Sequence, residues 1–241
     1  MLKKFFLAVF CFALSVSLFA SYDDALSLFS EGKYQESLKV VAAELDAAQD
    51  MNPSSPNYNL RFLAAHNHWK LKNYEGAFSH FSRCRQIKPQ AVEPLIDMAL
   101  VYLQQNKWKE ALALGQKIAE MDKTRVEAFY ILGKARYGYQ NYWGAKEYLE
   151  KATSLDFQYY PAWNELGKAL LMLKKYSEAE TALSTAYALC PKSEEVMSNL
   201  AVAYYRNNKK DKAIDIIKEA QNLAPKNEAI AKNAKIILGS K

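Results

Sequence analysis

An aromatic residue followed three positions later by alanine recurs in this chain every 34 residues: Tyr74 with Ala77, Trp108 with Ala111, Tyr142 with Ala145, Tyr176 with Ala179. Lys210 with Ala213 continues the series with the aromatic replaced. Proline keeps the same phase at Pro89, Pro191 and Pro225, and Lys123 and Phe157 fill the two intermediate slots. A period of this length marks one supersecondary unit copied along the chain, and such a unit cannot bury its apolar face without a neighbour. The chain is constrained to stack its copies.

Each copy reads as two amphipathic helices around a short polar turn. In "QYYPAWNELGKAL", residues 158–170, steps of three and four put Trp163, Leu166, Gly167 and Leu170 on one helix face. The turns are "LKNY", "QNKW", "YQNY", "LKKY" and "NNKK". A proline after the second helix cannot continue it and closes the unit. Gly133, Gly167 and the equivalent alanines are expected where the two helices of a hairpin come closest, since a larger side chain would force the axes beyond about 8–10 Å.

These residues carry a family resemblance. Trp163, Leu166, Gly167, Leu170, Ala179, Leu183, Ala186 and Pro191 match the tetratricopeptide pattern W-x2-L-G-x2-Y, A-x3-F, P. The remaining units match it less fully over 58–91, 92–125, 126–159 and 194–227, and the best unit spans 160–193. A divergent N-terminal hairpin is expected over 21–57: Tyr34 of "EGKYQESLKVV" lies 40 residues before Tyr74, so an insertion around "MNPSSPN" is expected. Residues 228–241 read as a capping helix, with Ile230, Ala231, Ala234, Ile237 and Leu238 on its apolar face and Lys232, Asn233 and Lys235 in water. The fold class implied is all-α, a right-handed α-solenoid of about six tetratricopeptide hairpins plus that cap.

The N-terminus has the order of a secretory signal: Lys3 and Lys4, an apolar run from Phe5 to Phe19, then Ala20 and Ser21 before Asp23 and Asp24. Residues 1–20 are expected to be removed after Ala20, the alternative being an uncleaved anchor. The run is short beside the roughly 20 residues of a membrane span. Outside this leader the cysteines are Cys84 and Cys190, too few for a disulfide framework, and no Asn-x-Ser/Thr acceptor is present. A bacterial periplasm is the expected compartment. The basic excess is C-terminal, with nine basic and four acidic residues from Arg206 to Lys241, a patch able to meet a membrane surface or simply to stay solvated.

No residue pattern calls for catalysis. His66, His68 and His80 are the histidines, and an H-x-H pair on a helix points its rings to different sides. No CxxC or HExxH spacing, glycine-rich phosphate loop or G-x-S-x-G elbow occurs, so no metal, cofactor or enzymatic activity is expected. Cys84, at a small-residue position, reads as a buried structural thiol. The tyrosine-rich stretch 137–160 has too few lysines for a nucleic-acid track.

The resemblance implies a concave wall lined by the first helix of each hairpin. Its positions here are Asn59, Phe62, His66, Trp69 and Lys70; Ile96, Leu100, Leu103 and Gln104; Tyr130, Lys134 and Tyr137; Asn164, Lys168, Leu171 and Met172; Ser198, Asn199, Val202, Tyr205 and Arg206. Leu100, Leu103 and Val202 serve equally well as packing between hairpins. Trp69 and Tyr137 are the expected anchors, removable without loss of stability. Asp97 and Glu165 stand where the carboxylate-clamping subtype needs asparagine, so that mode is not expected. What remains is an aromatic trough with Lys134 and Lys168 in its middle, suited to a protein segment with apolar anchors and one or two acidic groups. The function expected is a non-catalytic protein–protein interaction scaffold of the cell envelope. The alternatives are a periplasmic small-ligand or glycan binder, or a structural component of a large envelope machine for secretion, transport or motility.

Overall fold

The computed structural model describes residues 22–47 and 57–239. The expected leader, 1–20, and most of the expected insertion lie outside these residues. Among the described residues every regular element is an α-helix. Helix α1 covers 22–30 and pairs with α2 (Tyr34–Ala47). The following hairpins are α3 (Asn57–Lys70) with α4 (Tyr74–Ile87), α5 (Glu93–Gln104) with α6 (Trp108–Met121), and α7 (Val126–Gly138) with α8 (Tyr142–Leu155). Then come α9 (Tyr160–Met172) with α10 (Tyr176–Leu189), α11 (Glu194–Arg206) with α12 (Lys210–Leu223), and the final helix α13 (Glu228–Gly239). None is long and apolar enough to cross a membrane. The chain divides into two compact units, with the boundary between Val101 and Tyr102.

The turn inside each hairpin repeats one backbone device. Lys72, Asn106, Gln140, Lys174 and Asn208 all have φ between 57° and 61°, spaced 34 residues apart. This left-handed residue reverses the chain so that the next N–H reaches back to the helix it has left: Asn73 to the carbonyl of His68, Lys175 to that of Leu170 and Lys209 to that of Tyr204, each at 2.9 Å. Glycine is the usual residue there, and only the first hairpin has it, Gly32 at φ 79°. Asn73 and Asn141 then cap the outgoing helix, accepting from the N–H of Gly76 at 3.1 Å and Gly144 at 3.0 Å.

Within hairpins the close approach falls at the expected glycines. A Cβ on Gly133 would lie 2.5 Å from Cγ of Leu149, and one on Gly167 would lie 2.3 Å from Cγ of Leu183. Leu149 and Leu183 are wholly buried, so each glycine is the socket for a leucine of the partner helix.

In the first unit the core holds Val41, Leu60 and Leu63, with Phe29 and Leu38 packed against them. A buried polar pair ties α1, α2 and α3 together. Ser37 Oγ donates to the carbonyl of Ala25 at 2.7 Å and accepts from Asn67 Nδ2 at 2.9 Å. A hydroxyl sealed from water costs stability unless it is bonded, and both of its roles are filled here. Cys84 is fully buried, and burial pushes its thiol up to about 12, which suits a packing group and not a nucleophile. Cys84 and Cys190 are both free.

The final helix departs from its sequence pattern at three residues. Ile230, Ala234 and Ile237 are buried, but Ala231 and Leu238 face outward. Asn233, expected in water, donates to Ser198 Oγ at 2.9 Å. The buried stripe is thus narrower than the apolar stripe: among the described residues α13 rests chiefly on α11 and α12.

His80 makes the first unit sensitive to acid. It stacks on His68 with ring centroids 5.4 Å apart, and burial, with His68 and Arg61 nearby, holds it down at about 4. Between that value and the usual 6.5 the unfolded chain binds a proton that the folded chain does not, so stability rises with pH across this window. Lowering the pH from 7 to 5 is expected to cost about 1–2 kcal/mol through His80. His80→Gln flattens that slope, which urea unfolding at the two pH values measures; an unchanged slope refutes the assignment.

Candidate functional site

In the second unit the first helices of successive hairpins touch one another, α7 to α9, α9 to α11 and α11 to α13. Their second helices, α8, α10 and α12, make no comparable contact among themselves. Neighbours that converge on one side and splay on the other form a curved wall, so the first helices line its inner face.

A polar ladder crosses that face. On α7, Lys134 Nζ donates to Tyr130 Oη at 3.2 Å and lies 3.4 Å from Glu165 Oε1 of α9. Lys168 Nζ donates to Glu165 Oε1 at 3.0 Å; its 2.9 Å approach to Oε2 is an ion pair whose angle is too poor for a hydrogen bond. Lys168 also lies 3.5 Å from Glu195 Oε1 of α11. Asn164 Nδ2 donates to the same Glu195 oxygen at 3.3 Å, and Asn164 Oδ1 accepts from Asn199 Nδ2 at 2.9 Å. The bond from Asn233 to Ser198 repeats that step one hairpin later, at the same 35-residue separation.

Two ammonium and two carboxylate groups balance within this ladder. Glu165 is the pivot, since its side chain is only 4 % exposed against 61 % for Glu195. Burial pulls the Lys168 ammonium down, but Glu165 and Glu195 together outweigh it and leave it above the ordinary lysine value. Burial, then the Glu165 carboxylate, pushes the Tyr130 hydroxyl well up, so it stays protonated as the ladder's end group. Lys168 also lies 5.5 Å above the ring of Tyr137, which is half-buried.

The first unit carries a shorter version. His66 Nε2 lies 3.1 Å from Asp97 Oδ2, and the ring of His66 sits between Phe62 at 4.8 Å and Trp69 at 5.9 Å. The 31-residue step from His66 to Asp97 is the same as that from Lys134 to Glu165. The two acids that stand where the carboxylate-clamping subtype has asparagine, Asp97 and Glu165, are therefore partners for the basic side chain one hairpin earlier.

Several expected wall positions are placed differently. Ile96 and Leu103 are core residues, 7 % and 5 % exposed, because the α5 face they share turns inward. Tyr130 and Asn164 are buried: the Tyr130 ring packs edge-on to Tyr159 at 5.5 Å, and both residues meet the face only through the ladder. Phe62 and Trp69 pack against the buried cluster of Ala65, Ala77, Phe81 and Val101, so trimming Trp69 removes core contact as well as surface. Trp69→Ala is therefore expected to cost some stability as well as a surface contact. Lys134 and Lys168 are not spare positive charges, being already paired. Asn59, Lys70, Gln104 and Arg206 are exposed, and His66, Tyr137, Lys168, Asn199 and Tyr205 are half-buried. Glu165, Glu195, Ser198 and Asn233 complete the ladder; the 31- and 35-residue steps were the signal that could have found all four together.

Among the described residues no group of three or more His, Cys, Asp or Glu side chains is placed to hold a metal ion. Tetratricopeptide repeat models match residues 68–135, 130–194 and 174–235, together most of the chain. The chain belongs to the tetratricopeptide repeat family. This repeat protein is similar in fold to a tetratricopeptide protein of Parabacteroides merdae, with a TM-score of 0.73 at 16 % identity over 92 % of this chain and 84 % of that one. It is similar to PilW, described as a type IV pilus biogenesis factor, with 0.71 at 16 % identity over 90 % and 97 %. A thermophilic member from Thermus thermophilus matches with 0.63 at 22 % identity over 75 % and 98 %. No curated protein matches the chain. Proteins of this repeat family are typically non-catalytic modules that bind protein partners or peptides.

Proposed function

We propose that this repeat protein is an exported, non-catalytic adaptor of the bacterial envelope, and that the inner face of its second unit holds an extended segment of a protein partner. The carrying observation is the ladder: donors and acceptors from three successive first helices are fixed in a row by their own hydrogen bonds. Side chains already ordered lose little entropy on binding, and an extended backbone has polar groups to match such a row. Tyr137 supplies an apolar anchor beside it. A carboxylate on the partner finds Lys168 by displacing Glu195, the outer and solvent-facing member, while Glu165 stays in place. The secretory order of residues 1–20 supports the compartment.

A photo-crosslinking residue placed at Tyr137 or Asn199 in native cells tests both parts. The expected result is one discrete protein adduct from each position, none from Thr181 on the exposed face of α10, and a mature chain beginning at Ser21 in the periplasmic fraction. Equal adducts from Thr181, or none from Tyr137, refute the binding face, and a cytoplasmic chain that retains its leader refutes export.

A further inference from the structure

A cavity of about 460 Å³ lies in the first unit between α2, α3 and α4. It is separate from the faces described above: its α3 residues are Arg61, Ala64 and His68, on a different side of that helix from Phe62, His66 and Trp69. Leu38, Val41 and Leu45 of α2 form an apolar wall, and Arg61, His68 and His80 supply the opposing polar groups. The volume is within the range of pockets that hold one small molecule, about 300–1,000 Å³.

Two polar atoms at this cavity are buried without a hydrogen-bond partner, Arg61 Nε and His80 Nδ1. Among the described residues no carboxylate pairs with Arg61; its charged neighbour is Arg83, and burial with Arg83 holds Arg61 below the ordinary arginine value. A guanidinium does not escape that situation by losing its proton at physiological pH. A cation partly withdrawn from water, beside a second cation and without a counter-charge, gains most from an anion brought by a ligand. Inorganic anions would leave the leucine and valine wall unused, so the ligand that satisfies both sides is an acid with a hydrocarbon body.

We infer that this cavity is a binding site for a small amphipathic carboxylate, its carboxylate paired with Arg61 and its hydrocarbon part laid against Leu38, Val41 and Leu45. The rings of His68 and His80 line the same space. The site is independent of the partner-binding face and stands or falls without it.

Octanoate, octan-1-ol, octylamine and acetate are titrated into the purified full chain, followed by calorimetry and by the imidazole NMR signals of His68 and His80. Octanoate is expected to saturate and shift both rings, octan-1-ol and acetate to bind at least about tenfold more weakly, and octylamine not to bind. Arg61→Gln should weaken octanoate about tenfold and leave octan-1-ol unchanged. Ala42→Phe, from an exposed cavity-lining position on α2, fills the space and should abolish binding with helicity intact. Asn199→Ala on the other face should change nothing. Octan-1-ol binding as well as octanoate, full affinity in both cavity variants, or no saturable binding of octanoate by the wild-type chain would overturn the site.

Discussion

Gly167→Val is expected to destabilise the second unit by about 3 kcal/mol or more. Local propensity argues the other way, since a glycine inside a helix costs roughly 1 kcal/mol against alanine. Packing decides the sign. The new Cβ would stand 2.3 Å from Cγ of Leu183 and 2.7 and 2.9 Å from its two methyl carbons. Leu183 is fully buried in α10 and has no free space to turn into, so α9 and α10 must separate. The double variant Gly167→Val with Leu183→Ala tests the cause. If the two side chains compete for one socket, the pair costs less than the sum of its parts, though Leu183→Ala alone should cost about 2–5 kcal/mol. Additive costs would mean that the glycine is required for some other reason. Gly239, with nothing within 4 Å of its Cβ position, is the matched control. Helicity in urea is the measurement, read as a midpoint shift, because an array of repeats need not unfold in one step.

That socket was legible in the sequence because it repeats with the period: Gly133 with Leu149 and Gly167 with Leu183 keep one offset in two successive hairpins, and Ala65, Ala99 and Ala201 stand in place of the glycine. Turn positions were legible for the same reason, but their left-handed residue was not, since Lys72, Gln140 and Lys174 give no glycine signal. The ladder was hidden by its spacing. Its links between helices join positions 27, 31 or 35 residues apart, so a comparison made strictly in phase at 34 sets each residue beside its equivalent and never beside its partner. Position alone placed Lys134 and Lys168 on the inner face, yet only the pairing shows that Glu165 already occupies them. Ile96 and Trp69 illustrate a related limit. The wall positions of an ideal repeat are surface positions, and the rotation of each helix decides how far an apolar group at such a place sinks into the core. The cavity beside Arg61 had no signal in the repeat, because the step from Tyr34 to Tyr74 departs from the period.

Glu165→Ala should be the most damaging polar change on the inner face, costing about 1–3 kcal/mol, because it removes a buried carboxylate and leaves two half-buried ammonium groups without their shared partner. Lys134 and Lys168 would then face the vacated site with only the exposed Glu195 as counter-charge. The native Lys168 ammonium titrates above its ordinary value, so this contribution is complete at neutral pH and is lost only as the pH rises through that raised value. Glu165→Gln keeps the shape and some hydrogen bonding, and its cost should be smaller. The informative variant is Glu165→Leu with Lys168→Met, since replacing a buried pair with apolar groups of similar volume is often neutral or stabilising. If that double variant folds as well as the wild type but no longer forms the adduct at Asn199, the charges are kept for recognition and not for stability. If it folds and still forms the adduct, the ladder is structural and the partner reads some other part of the face. Loss of folding in the double variant as well as in Glu165→Ala would mean that the hydrogen bonds to Tyr130, Asn164 and Asn199 depend on this pair, which makes the ladder the element that sets the spacing of α7, α9 and α11.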